Sequence, residues 1–94
     1  METKIYSIQE YSEKIKIQVG DLYGKSRSHK ISTPRQIYWY YLSLNKIPVT
    51  SICKEFNRKH STILEGIKKI NGYIDVKDKT INSYLNALSI FSQQ

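Results

Sequence analysis

The stretch "VTSICKEFNRKHSTILEGIKKINGYI", residues 49–74, decides how the whole chain is read. Ile63, Ile67, Ile70 and Ile74 fall at i, i+4, i+7 and i+11 with Leu64 beside them, so one helical stripe faces a core. Ahead of that stripe lies a polar break at Asn57 and Arg58, and ahead of the break a shorter apolar segment. The pattern predicts a short helix from about residue 50 to 56, a tight turn, and a longer helix to about residue 73. A short helix, a turn and a longer helix make the helix-turn-helix shape. Asn57 suits the turn because asparagine tolerates positive φ better than most residues. Ser61, Thr62, Glu65, Lys68 and Lys69 then point away from the core.

Working outward, glycine occurs only at 20, 24, 66 and 72 and proline only at 34 and 48, with no internal repeat or low-complexity tract. The prediction is an all-α fold: a compact bundle of about five to six helices, with residues 1–94 as one domain. Ile5, Ile8, Tyr11 and Ile15 predict a first helix over about 4–14. "KIKIQV" (14–19) alternates as a strand would, but it has no partner strand, so it reads as a connector into a helical turn at "VGDLYG" (19–24). "GKSRSHKIST" (24–33) is a polar, basic loop. Thr33 followed by Pro34 is a helix-start signal, with threonine as N-cap and proline at N1. The helix that follows, "PRQIYWYYLSLNK" (34–46), is apolar nearly all round and is expected to be the buried central helix, ending before Pro48. Ile81, Tyr84, Leu85, Leu88 and Phe91 mark a last helix over about 79–91.

A chain of 94 residues with 39% hydrophobic content builds one core and no interdomain cleft. Fifteen Lys and Arg against eight Asp and Glu give a formal charge of +7, which favours an anionic partner: nucleic acid first, an acidic membrane surface second. Cys53 is the only cysteine, so no internal disulfide forms and no zinc-ligand spacing exists. No apolar run approaches the roughly 20 residues of a membrane span, and the N-terminus lacks a signal-peptide centre. A soluble, cytoplasmic, nucleoid-associated protein is expected. No glycine-rich phosphate loop or paired-carboxylate motif is present, Cys53 has no assignable base, and His29 and His60 are isolated. Enzymatic activity, a cofactor, a metal and a small-molecule substrate are therefore not expected.

Arg58, Lys59, His60, Ser61 and Thr62 crowd the start of the longer helix. Cations there oppose the helix dipole, and an external phosphate resolves that conflict. Taken alone, His60 reads first as a capped or half-buried histidine, Ser61 and Thr62 as caps, and Lys68 and Lys69 as a solvated face. Their grouping points instead to a recognition helix. "GKSRSHK" is either a plain connector or an arm whose Arg27 enters a narrow minor groove. Arg35 and Gln36, in the first turn of the central helix as drawn above, are placed to clamp a phosphate or else form an ordinary polar start. The eight tyrosines and one tryptophan could stack on single-stranded bases, but "IYWYYL" sits in the most apolar helix, which assigns most of them to the core.

"GDLYGKSRS", "TPRQIYWYYL" and "RKHSTILEGIKKI", in this order and spacing, resemble the C-terminal DNA-binding domain of the bacterial chromosomal replication initiator DnaA, over about residues 8–88. The resemblance implies a Trp-repressor-like helix-turn-helix that binds double-stranded DNA at origin boxes without ATP; a monomer is expected for the isolated chain. The resemblance also implies Arg27 as the minor-groove arginine and Lys25 as a phosphate or groove contact from the loop. Arg35, Gln36 and Thr62 correspond to phosphate contacts, and so does Thr50, at the opening of the shorter helix. His60 and Ser61 match the base-reading pair. Two departures stand out. Lys59 replaces the family's aspartate, so a donor to guanine or phosphate stands where an acceptor from cytosine or adenine would be. "FNRK" is also one residue shorter than the usual two-glycine turn. The resemblance takes in no ATPase segment, so an excised or stand-alone unit, or one recruited to a phage or mobile element, is expected. A protein-interaction module with a basic face, or an RNA-binding domain, remains the alternative.

Overall fold

The computed structural model describes residues 6–24, 28–75 and 79–88, apart from the side chains of His29, Thr80 and Asn82. Among the described residues it is all-α, with six helices and no strand: α1 (Ile8–Ile15), α2 (Val19–Tyr23), α3 (His29–Leu44), α4 (Val49–Phe56), α5 (His60–Asp75) and α6 (Lys79–Ala87). α1 starts later than its apolar spacing predicts because Ser7 caps it. The Ser7 hydroxyl accepts from the Glu10 N–H at 3.1 Å, and the Glu10 carboxylate takes the Ser7 N–H at 3.0 Å. Lys16 ends the helix in the left-handed region at φ 62°. "KIKIQV" therefore supplies a helix end, a connector and the first residue of α2, as its lack of a strand partner requires. Tyr11 carries α1 into the core, where its ring stacks on Tyr38 at 5.4 Å and its hydroxyl donates to the Pro34 carbonyl at 2.8 Å.

The start of α3 differs from the sequence expectation. Ser28, not Thr33, holds the N-cap position, its carbonyl accepting from the N–H groups of Ile31 and Ser32 at 2.9 and 2.7 Å. Pro34 lies inside the helix and leaves the Lys30 carbonyl without its usual donor. Thr33, Pro34 and Arg35 are all buried, and α3 packs there against α2. Packing of this extra turn outweighs the local preference for a break. Further along, Ile37, Tyr38, Trp39, Tyr41 and Leu42 are buried, confirming α3 as the central helix. Asn45 and Lys46 turn the chain at its end, ahead of Pro48. No tyrosine is exposed, in keeping with a core role rather than an open stacking platform.

α4, its turn and α5 follow the predicted pattern. Asn57 is left-handed at φ 54°, and both its N–H and that of Arg58 bond back to the Cys53 carbonyl, a Schellman-type ending. Phe56 is enclosed by Tyr23, Trp39 and Tyr38, with ring centroids at 4.9, 5.8 and 6.2 Å. Each such pair adds about 0.5–1.5 kcal/mol beyond area burial. From α5, Ile63 and Ile70 are fully buried and Ile67 and Ile74 partly so. Leu64 is 45% exposed, so it sits beside the stripe without joining the core. α5 crosses α3 at Gly66, where an added Cβ would lie 2.8 Å from the Trp39 ring. Ile81, Leu85 and Leu88 bury one face of α6, while Phe91 lies outside the described residues.

Candidate nucleic-acid interface

The N-terminal turn of α5 is an open, polar surface. His60, Ser61 and Thr62 are exposed, and so are Lys59 before them and Glu65, Lys68 and Lys69 after them. Ile63 donates its N–H to the Lys59 carbonyl at 3.2 Å, which puts Lys59 at the helix entrance. A lysine side chain has no acceptor with which to cap the first N–H groups, so that end of the dipole is left to attract an anion. The buried isoleucines keep this turn from rotating inward. One helix thus closes the core and presents a polar end.

Beside the turn, two arginines converge on the end of α2. Arg35 is 5% exposed and donates from Nε to the Leu22 carbonyl at 2.8 Å and from Nη2 to the Asp21 carbonyl at 3.0 Å. Arg58 donates from Nη1 to the Phe56 carbonyl at 2.7 Å and from Nη2 to the carbonyls of Tyr23 and Gly24. Four successive carbonyls at a helix C-terminus, residues 21–24, thereby receive guanidinium donors where the helix itself offers none. Burial, followed by the nearby Arg58 charge, lowers the Arg35 pKa. Tyr23 adds a link from α2 to α4 through its hydroxyl, which donates to the Glu55 carboxylate at 3.0 Å. Burial and that bond hold the Tyr23 phenol above its ordinary pKa.

The sequence that builds this site has known relatives. Residues 6–70 match the family described as the bacterial DnaA protein helix-turn-helix. The chain belongs to this family. It is 34% identical over 83 residues to the chromosomal replication initiator protein DnaA of Lachnoclostridium phytofermentans, covering 86% of this chain and 18% of that protein. The DnaA of Clavibacter sepedonicus is 34% identical over 80 residues, covering 83% and 17%. DnaA 2 of Protochlamydia amoebophila is 29% identical over 76 residues, covering 80% and 17%. The chain thus spans about a sixth of the length of the curated relatives it matches.

Within this DnaA-family domain the residues singled out in the sequence separate into groups. Lys59, His60, Ser61 and Thr62 are exposed together at the start of α5, and Thr50 is exposed in the first turn of α4. Lys25 and Arg27 lie outside the described residues. The outward orientation expected of Arg35 is corrected: the earlier start of α3 puts Arg35 in the helix interior, where its guanidinium faces α2. Gln36 is half-buried; an added Gly66 Cβ would lie 3.1 Å from its Cγ, and its buried Oε1 has no hydrogen-bond partner. Arg58, read from the sequence as part of the basic cluster, turns back toward α2. No local pattern marks that turn, because its partners lie 34 and 35 residues away. Gly66 carries no local signal for the same reason, since the Trp39 ring and the Gln36 side chain on another helix are what require it. Among the described residues no group of His, Cys, Asp and Glu could hold a metal ion, and no helix is long and apolar enough to cross a membrane.

Proposed function

We propose that residues 1–94 act as one domain that binds double-stranded DNA sequence-specifically, at an element related to the DnaA box, in replication initiation or its control. The observation that carries this reading is the exposed Lys59-His60-Ser61-Thr62 turn at the start of the second helix of a helix-turn-helix, in a chain of charge +7 belonging to the DnaA family. In this reading the start of α5 enters the major groove, where a helix and its N-terminal side chains reach base edges. His60 and Ser61 contact bases. Thr62, Thr50 and Gln36 contact the backbone, with Lys25 beside them and Arg27 in the adjacent minor groove. Arg35 keeps its bonds to α2 and acts through them. The domain works by binding alone, as a monomer, without cofactor or catalysis.

Lys59 sets the preference apart from that of the family. An ammonium only donates, so it favours guanine O6 and N7 or a phosphate over the amino groups of cytosine and adenine. Selection from a random duplex pool should return a site altered at the position facing Lys59. Recovery of the unaltered DnaA box as the best sequence sinks that assignment. The wider reading is tested by anisotropy titrations with duplex, single-stranded DNA and RNA across a salt series. Duplex should bind best, with log K falling by about 0.9 per log unit of salt for each phosphate neutralised. Absence of duplex binding at low salt, with retention of an acidic protein partner, would mean that the basic face serves protein interaction instead.

A further inference from the structure

The duplex-binding reading leaves one cation of the basic cluster unused. Arg58 precedes Lys59 and His60 directly, yet its guanidinium faces inward. Nη1 holds the carbonyl of Phe56, the last residue of α4, and Nη2 reaches the carbonyls of Tyr23 and Gly24 at the end of α2. A single planar group therefore ties together the end of α2, the end of α4 and the entrance of α5. Arg35 takes the two preceding carbonyls, Asp21 and Leu22, so two like charges share one five-residue helix end. The carbonyls satisfy both forks, and the Asp21 charge offsets part of the repulsion at Arg35. α2 has no side-chain hydrogen bond at its N-cap to hold it from the other end. Its position relative to α5 thus depends on these donors, on the Tyr23 hydroxyl bond to Glu55 and on the packing of Leu22 and Tyr23.

We propose that Arg58 is a positioning residue for duplex binding: it fixes the entrance of α5 against the end of α2 and does not itself contact phosphate. This rests on the duplex-binding reading, and the two fail in different experiments. A lysine at 58 keeps the charge but lacks the fork that reaches three carbonyls at once. The probes are a duplex selected from a random pool by the unaltered chain and a random-sequence duplex of equal length. Arg58→Lys and Arg58→Ala should each weaken binding to the selected duplex by about tenfold, the scale of one charged hydrogen bond. Both should keep the unaltered salt slope, because no phosphate contact is lost. Full affinity in folded Arg58→Lys would overturn the proposal, as would a slope reduced by about 0.9 in Arg58→Ala.

Circular dichroism first establishes that each variant is folded. Should neither fold, the unaltered chain supplies the decisive reading through NMR of its guanidinium groups. The Arg58 Nη–H signals should exchange slowly in the free protein and stay in place when duplex is added. Fast exchange in the free protein, or a large shift on adding duplex, would overturn the proposal. Failure of the unaltered chain to bind any duplex would sink the wider reading, while the free-protein signals still report whether Arg58 makes the link.

Discussion

The two halves of the functional surface are built by different means. From residue 49 to 75 the course of the backbone follows from neighbours in the chain: an apolar stripe, a left-handed asparagine, a helix that starts three residues later. From residue 28 to 36 the local signals mislead. "TPR" reads as a helix start, yet the helix begins at His29, and Arg35 reads as a surface cation, yet it is buried. In the first region the chain's own periodicity agrees with its packing. In the second, tertiary burial overrides a proline and removes a charge from solvent. The path of α4 and α5 is thus locally specified, whereas the frame beside it exists only when the whole core is assembled.

Perturbing the assembled frame should cost most. Burial holds the phenols of Tyr11 and Tyr38 above their ordinary pKa, so folding favours their neutral forms. Their contribution is complete below about pH 10 and is lost as pH rises toward the folded-state values, at up to about 1.4 kcal/mol per pH unit for each ring. Urea titrations at increasing alkaline pH should show this fall, and Tyr11→Phe should reduce its slope. A flat profile would mean that the α1–α3 contact is not sealed from water.

Next in size comes Arg35→Met. It keeps much of the side-chain length but leaves the Leu22 carbonyl without its donor, and should lower stability by about 2–3 kcal/mol. Asn57→Val tests the locally specified half. A β-branched residue at φ 54° should cost about 1–2 kcal/mol, whereas Asn57→Gly should be nearly neutral. If Asn57→Val proved costlier than Arg35→Met in chemical denaturation, the ranking of the two halves would be reversed. Gly66→Ala probes the place where the halves meet. Overpacking against Trp39 costs about 1–3 kcal/mol and the gain in helix propensity returns about 1, leaving a small loss visible as a lower Tm.

Much of this molecule was legible before any coordinates. The all-α class, the central helix, the turn at Asn57 and the exposed polar start of α5 all come from side-chain periodicity and the preferences of single residues. Such features are encoded within about one or two helical turns. The inward turn of Arg58, the burial of Arg35 and the need for glycine at 66 were not legible in the same way. Each depends on an atom contributed by a distant part of the chain: the Gly24 carbonyl, the Leu22 carbonyl and the Trp39 ring. Residue order alone sets which helix face is apolar and places the cations beside the start of α5. Which cations stay exposed depends on folding: Lys59 does, while Arg35 and Arg58 turn to α2. A guanidinium goes to whichever acceptors folding brings within reach, and here the end of α2 takes two of them.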